Sequence, residues 1–202
     1  MDFHNGYFVK KCEKIESLSV LKLQVCNLIR EEFNIECDDD EKVLNQFHEF
    51  VNEVSAIDLN EKRMLLIKKI NQNINLKELI FNSFKDTILD LLGPDLLVQK
   101  NCNIVIQMPN DNNPSELHRD APGNSSYEVV IWIPLVDCYK TKSMYILPPK
   151  KANELKHLFS DKKIKNSDDI FKKIKRHLVW LNVKYGQVVI FDQSLPHGNV
   201  IN

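Results

Sequence analysis

The hydrophobic pattern changes character near residue 100, and that change limits the fold more than any other feature of the chain. Before it, apolar residues recur at helical spacing: Leu21, Val25, Leu28 and Ile29, then Val43, Leu44, Phe47, Phe50 and Val51, then Met64, Leu65, Ile67 and Ile70, then Leu79, Ile80, Phe84, Ile88 and Leu91. Ser17 or Ser19 is placed to cap the first helix, which ends near Asn34, and the fourth runs from Leu76 to Leu92, where Gly93-Pro94 stops it. After it, short β-branched and aromatic runs take over, at about 103–108, 127–135, 142–147, 177–183 and 187–192, with an opening strand at Gly6-Tyr7-Phe8-Val9 ahead of the helices. The run Val129–Ile133 is apolar on both faces, as a central strand requires. Residues 151–174 interrupt the strands with two short helices. A chain that segregates its helices from its strands in this way is α+β.

Short strands separated by turns and long connections fit a double-stranded β-helix, the jelly-roll type of barrel. The chain reads as a single domain over 1–202. Residues 1–100 form a mainly helical layer over one face of the sheet, and 101–202 form the jelly-roll core with a helical insertion at about 151–175.

Composition narrows the function. At 202 residues and 43% hydrophobic, the chain is long enough for one well-buried core. A net charge of −1 gives no general reason to expect nucleic acid or an anionic membrane as partner. The five cysteines are odd in number and form no Cys-Xaa-Xaa-Cys pair, which fits reduced thiols. Met1-Asp2-Phe3-His4-Asn5 lacks the regions of a signal peptide, and no apolar stretch reaches the roughly 18 residues of a membrane span, so the expected location is cytoplasmic. Asp38-Asp39-Asp40 lacks the spaced ligands and glycine of a calcium loop and reads as a solvated turn. The stretch Lys150–Arg176 holds ten Lys or Arg against four acids. Leu155, Leu158 and Phe159, then Ile170, Phe171 and Ile174, are spaced for burial there, so it reads as amphipathic helices with solvated lysines. No Gly-Xaa-Ser-Xaa-Gly elbow and no phosphate-cradling glycine loop occurs.

The chemistry-bearing pattern is His118-Arg119-Asp120, answered by His197 in Leu195-Pro196-His197-Gly198-Asn199. With 6 His and 15 Asp in the chain, chance alone supplies about 0.4 His-Xaa-Asp triplets, so the flanks decide. Asp120 is followed by the strand run from Tyr127, and His197 is preceded by the turn Tyr185-Gly186 and the run Gln187–Phe191. On extended chain, residues two apart project to the same face, so His118 and Asp120 can take adjacent metal positions. Two imidazoles and one carboxylate on one face of a metal leave the opposite positions open, the ligand set of non-haem iron(II) oxygenases. The remaining histidines, His4, His48, His157 and His177, have no comparable partners and read as structural or exposed.

With these residues in view, the chain resembles the 2-oxoglutarate-dependent iron oxygenases, most of all the branch related to phytanoyl-CoA hydroxylase. The matching pieces run in order: Gly6–Val9, His118-Arg119-Asp120, Trp132–Asp137, Ser143–Pro148, Gly186–Asp192 and His197-Gly198-Asn199. Within that branch it looks most like a bacterial subgroup that accompanies carbohydrate biosynthesis. The resemblance implies iron(II) held by His118, Asp120 and His197, 2-oxoglutarate as cosubstrate, molecular oxygen, and a small polar metabolite, a sugar intermediate, as the molecule oxidised. It implies hydroxylation or desaturation, because related halogenases replace the carboxylate that Asp120 retains. It also offers Gln107 as donor to the cosubstrate, Trp132 as cavity wall, and Asn199 and Asn202 as amides that orient the distal histidine or bond the cosubstrate. Family members carry an arginine about ten residues past the distal histidine, and this sequence stops at Asn202. Three readings of that gap stand: a last strand missing by truncation, which is preferred, an internal cation in place of the arginine, with Lys142 and Lys184 as candidates, or a cosubstrate other than 2-oxoglutarate. Two other readings stand beside the oxygenase. One is a cupin-like metal-binding protein or sugar isomerase, which shares the barrel, although Ile201 stands where the cupin motif expects asparagine. The other is a catalytically inactive oxygenase fold used for interaction.

Overall fold

The structure, a computed structural model, describes residues 4–109, 114–120, 128–160 and 166–202. It divides into two compact units, Cys12–Ile106 and Met1–Lys11 with Gln107–Asn202. The α+β class is borne out: helices dominate the first unit, and small antiparallel sheets lie in the second.

In the first unit, α1 (Ile15–Phe33) buries Leu18, Leu21, Val25, Cys26 and Ile29, one stripe at three- and four-residue spacing. That stripe packs on α4 (Ala56–Asn73) and α5 (Leu76–Ser83). Asn34 ends α1 in the left-handed region at φ 54, where asparagine is one of the few tolerated side chains. The cap differs from the expectation. Lys14 holds the cap position, and Ser17 and Ser19 lie inside the helix. The neighbouring Glu13 serves another helix: its carboxylate accepts from the N–H groups of Asp86 and Thr87 at 2.8 Å each, at the start of α6 (Lys85–Leu92).

Two expected helices are each broken in two. The second becomes α2 (Asp40–Asn45) and α3 (Phe47–Phe50), and the fourth becomes α5 and α6, with a break at Phe84, which is fully buried at φ −137. Met64 and Leu65 face outward, because α4 turns Leu66 and Ile70 to the core. The strand expected at 103–108 is absent. Its neighbourhood is tied instead to α4: Asn71 accepts from the Cys102 N–H at 2.7 Å and donates to the Cys102 carbonyl at 3.1 Å, and Arg63 donates to the Ile106 carbonyl at 2.6 Å. Backbone groups satisfied by side chains have no need of a ladder.

In the second unit, β1 (Tyr7–Lys11), β5 (Gln187–Asp192) and β2 (Val129–Trp132) form one antiparallel sheet with β5 central. Val188, Val189, Ile190 and Phe191 are all buried, which is why that run is apolar without alternation. The second sheet has the order β4 (Val179–Trp180), β3 (Tyr145–Ile146), β6 (His197–Gly198). Met144, Ile146, Leu181, Val183, Val189, Phe191 and Leu195, drawn from both sheets and their flanks, form one apolar cluster. Tyr7, Val130 and Trp132 pack against it. Three helices follow β3: α7 (Pro149–Glu154), α8 (Lys156–Ser160) and α9 (Ser167–Ile174). The expected strand start at Tyr127 lies outside the described residues. Among the described residues the strands close no barrel, and no helix is long and apolar enough to cross a membrane.

Candidate metal centre

The site is assembled by backbone pairing. His118 and His197 exchange both main-chain hydrogen bonds, each 2.9 Å, as an antiparallel bridge on the free edge of β6. Residues directly opposite in such a pair share a face, and the two imidazoles lie side by side with ring centroids 4.3 Å apart. The register is clamped two residues on, where the Asn199 N–H donates to the Ser115 carbonyl at 2.8 Å and the Asn199 side chain accepts from the Ser115 N–H at 2.5 Å. Gly198 permits the approach. A Cβ there would come within 2.7 Å of the Ser115 carbonyl oxygen and of the Tyr145 hydroxyl, and 2.9 Å from the Glu116 carbonyl oxygen.

Asp120 completes the group. Its Oδ1 lies 3.8 Å from His118 Nε2 and its Oδ2 lies 3.4 Å from His197 Nε2. One ligand atom from each of the three residues lies within 4.8 Å of the others, and no other group of three His, Cys, Asp or Glu does so among the described residues.

The protonation states follow from the partners. His197 Nδ1 is 2.8 Å from the Leu195 carbonyl and His118 Nδ1 is 2.6 Å from the Glu116 carbonyl. A carbonyl only accepts, so each Nδ1 carries the hydrogen, and in the neutral ring each Nε2 is left as an acceptor. Burial holds His197 below the ordinary imidazole range, and the adjacent His118 adds to this; the Leu195 carbonyl and the Asp120 carboxylate oppose it. Three electron-pair donors therefore converge: two imidazole nitrogens and a carboxylate. A cation between them would relieve their mutual repulsion, and the backbone carbonyls stand where the outer support that fixes ring orientation at metal sites is found. With bonds of about 2.1 Å at right angles, adjacent donors sit about 3 Å apart. The two measured edges at 3.4 and 3.8 Å need a contraction of less than 1 Å, within reach of side-chain rotation by His118 and Asp120, whose side chains are 44% and 35% exposed. His197, 7% exposed, is the fixed member, with the Phe191 ring edge-on to it at 4.9 Å.

The other expected site residues are not gathered around this group. Gln107 donates to the Val200 carbonyl at 2.7 Å and the Thr141 carbonyl at 3.3 Å. Asn202 accepts from the Thr141 hydroxyl at 3.0 Å, and Asn199 is the register clamp. Trp132 packs against the apolar cluster that contains Phe191. Lys142 ends a 3-10 turn, and Lys184 lines a groove with Trp180.

Sequence reasoning missed the residues that support the ligands. Glu116 and Leu195 each stand two before a histidine and each turn a carbonyl to its Nδ1, a spacing that an extended chain makes natural. The insertion does more than present lysines. The Ser167 hydroxyl bonds the Glu116 carboxylate, and the Arg119 guanidinium lies 4.7 Å from the centre of the Phe159 ring, so α8 and α9 hold the ligand segment from both sides of His118. No protein-family model matches the chain, and no curated protein matches its sequence.

Proposed function

We propose that this chain is a non-haem iron(II), 2-oxoglutarate-dependent dioxygenase that oxidises a small polar metabolite, a sugar intermediate, in the cytoplasm. The observation that carries the reading is the convergence of two imidazole Nε2 atoms and one carboxylate, each imidazole oriented by a backbone carbonyl. In the same reading, the two antiparallel sheets about one apolar cluster are part of a jelly roll, and β1 is its opening edge.

The roles of the residues follow from their surroundings. His197, buried and held neutral, keeps a lone pair aimed at the metal position. His118 is placed by the bridge to His197 and by the Glu116 carbonyl. Asp120 supplies the negative charge that makes the set select a divalent cation over a proton. Phe191 and the apolar residues around it exclude water from the inner side of the ligands. When bound, iron(II) with 2-oxoglutarate supplies the oxidising chemistry: dioxygen is consumed, the cosubstrate loses carbon dioxide to become succinate, and the substrate gains a hydroxyl group.

Anaerobic titration with iron(II), followed by 2-oxoglutarate, tests this. The expected result is a saturable visible charge-transfer band in the wild type, absent from His118→Ala, Asp120→Ala and His197→Ala. Iron binding without the band refutes the cosubstrate and favours the cupin-like reading. No metal binding refutes the centre and leaves an inactive fold used for interaction.

A further inference from the structure

The ribbon made by residues 137–141 and 180–184 carries a second candidate site. Cys138 and Val183 exchange both backbone hydrogen bonds at 2.8 and 2.9 Å, and the Leu181 N–H donates to the Met144 carbonyl at 3.0 Å. Side chains therefore alternate across the ribbon. Cys138, Leu181 and Val183 turn inward and are buried, whereas Asp137, Tyr139, Trp180, Asn182 and Lys184 stand exposed on the opposite face. With Lys140, Thr141 and Leu181 they line an open groove of about 660 Å³, within the roughly 300–1,000 Å³ of small-molecule sites.

Three features of the groove point to a ligand. Its two aromatic side chains, Tyr139 and Trp180, are 50% and 38% exposed, and Trp180 is held against the edge of Tyr145 at 5.3 Å. Lys140 adopts φ 49, a left-handed conformation that costs a side chain about 1–2 kcal/mol. The lining also holds two lysines, Lys140 and Lys184, to one aspartate, Asp137, whose Oδ1 accepts the Tyr185 N–H at 2.9 Å. It is not the mouth of the metal centre. Tyr145 pairs with Trp180 on one face of the sheet, and Ile146 pairs with His197 on the other.

We propose that this groove binds an anionic sugar. The apolar C–H face of a pyranose ring stacks on Tyr139 and Trp180, its hydroxyls bond Asn182 and Thr141, and its carboxylate or phosphate pairs with Lys140 and Lys184. Exposed aromatic faces beside an amide suit a molecule with one apolar face and a rim of hydroxyls. The excess of lysine selects a negative charge on it.

The test is calorimetric titration of the full chain with glucuronate, glucose 1-phosphate, glucose, inorganic phosphate and adenosine 5′-monophosphate. Saturable binding of either anionic sugar, with Kd at or below about 1 mM and at least roughly tenfold tighter than glucose, supports the proposal; which of the two binds distinguishes a carboxylate from a phosphate source. Tyr139→Ala weakens that binding by roughly tenfold. The double variant Lys140→Gly, Lys184→Ala abolishes the advantage over glucose, glycine being chosen for the left-handed position. Excess chelator leaves the titrations unchanged, so failure of the metal reading leaves this one standing. The proposal is overturned by absence of saturation with both anionic sugars at about 10 mM. It is equally overturned by inorganic phosphate binding as tightly as the sugars, by Tyr139→Ala without effect, or by adenosine 5′-monophosphate binding more tightly than either sugar.

Discussion

Gly198→Ala is the sharpest test of how the proposed metal centre is assembled. The added methyl meets two oxygen atoms at 2.7 Å and a third at 2.9 Å. Ordinary van der Waals contact starts at about 3.4 Å, so at least two neighbours must retreat by roughly 0.7 Å. Neither yields cheaply: one is main chain, and the other is the end of the Tyr145 ring, which is fully buried. Overpacking of this kind costs about 1–3 kcal/mol. The retreat also separates β6 from residues 115–118 and stretches the two 2.9 Å bonds that set His118 beside His197. A disturbed support shell weakens metal binding by about 10–100-fold. The assay pairs urea denaturation with cobalt(II) titration, and Gly93→Ala is the control. Gly93 sits at φ 80 with no atom within 4 Å of an added Cβ, so its substitution costs about 1–2 kcal/mol of backbone strain alone and leaves metal affinity unchanged. Wild-type cobalt(II) affinity in Gly198→Ala would refute the claim that this close approach sets the ligand geometry.

Other expectations follow from the same packing. Asn71→Ala strips the Cys102 N–H and carbonyl of their partner, and an expected loss of about 1–3 kcal/mol is read from the urea midpoint; a change below about 0.5 kcal/mol contradicts the tie. Glu13→Gln weakens the start of α6, where the carboxylate takes two N–H groups and the Thr87 hydroxyl, by about 1 kcal/mol, measurable as a lower thermal midpoint. Burial pushes the Cys26 thiol up to about 12 and the Cys138 thiol up to about 11. The unfolded chain releases these protons near pH 9 while the folded chain keeps them, so the unfolded state binds fewer protons between pH 9 and about 11–12. Stability from these thiols is complete below pH 9 and falls as pH rises through that window. Denaturation at about pH 8 and 10 should show a steeper loss for wild type than for Cys26→Ala, Cys138→Ala; equal slopes would disprove the assignment.

The parts of the fold legible in the sequence are those where one local signal agrees with burial. Gln187–Phe191 reads as a strand and forms β5; Leu21, Val25 and Ile29 read as one helical stripe and are buried on one, with Leu28 at its margin. Val129–Ile133, read as a central strand because it is apolar on both faces, is instead an edge among the described residues: β5 stands between β1 and β2, and the β2 residues are only partly buried. Other errors came where side chains took over the backbone's hydrogen bonds. Residues 103–108 have strand composition, but the Cys102 N–H and carbonyl just before them bond Asn71 and the Ile106 carbonyl accepts from Arg63. Phe84 has the spacing of a helix interior, yet it breaks the helix while filling the core, a tertiary demand that no local propensity announces.

The candidate site divides along the same line. The grouping was legible, because His118, Asp120 and His197 are chemically distinctive and flanked by extended runs, and the structure brings the three together. Assembly was not, because it rests on a register between His118 and His197, 79 residues apart in sequence, and that register is carried by residues without chemical signature: the hydrogen on Gly198, the carbonyls of Glu116 and Leu195, and the Asn199 amide. The result is an asymmetric site. His197 is fixed by its pairing with Ile146, the bridge to His118, the Leu195 carbonyl and the edge of Phe191, whereas Asp120 lies two residues beyond the last backbone pairing. A cation bound there would therefore draw the half-buried Asp120 carboxylate toward a buried imidazole rather than the reverse. Substitutions that loosen the 115–118 segment should then weaken the metal before they weaken the fold.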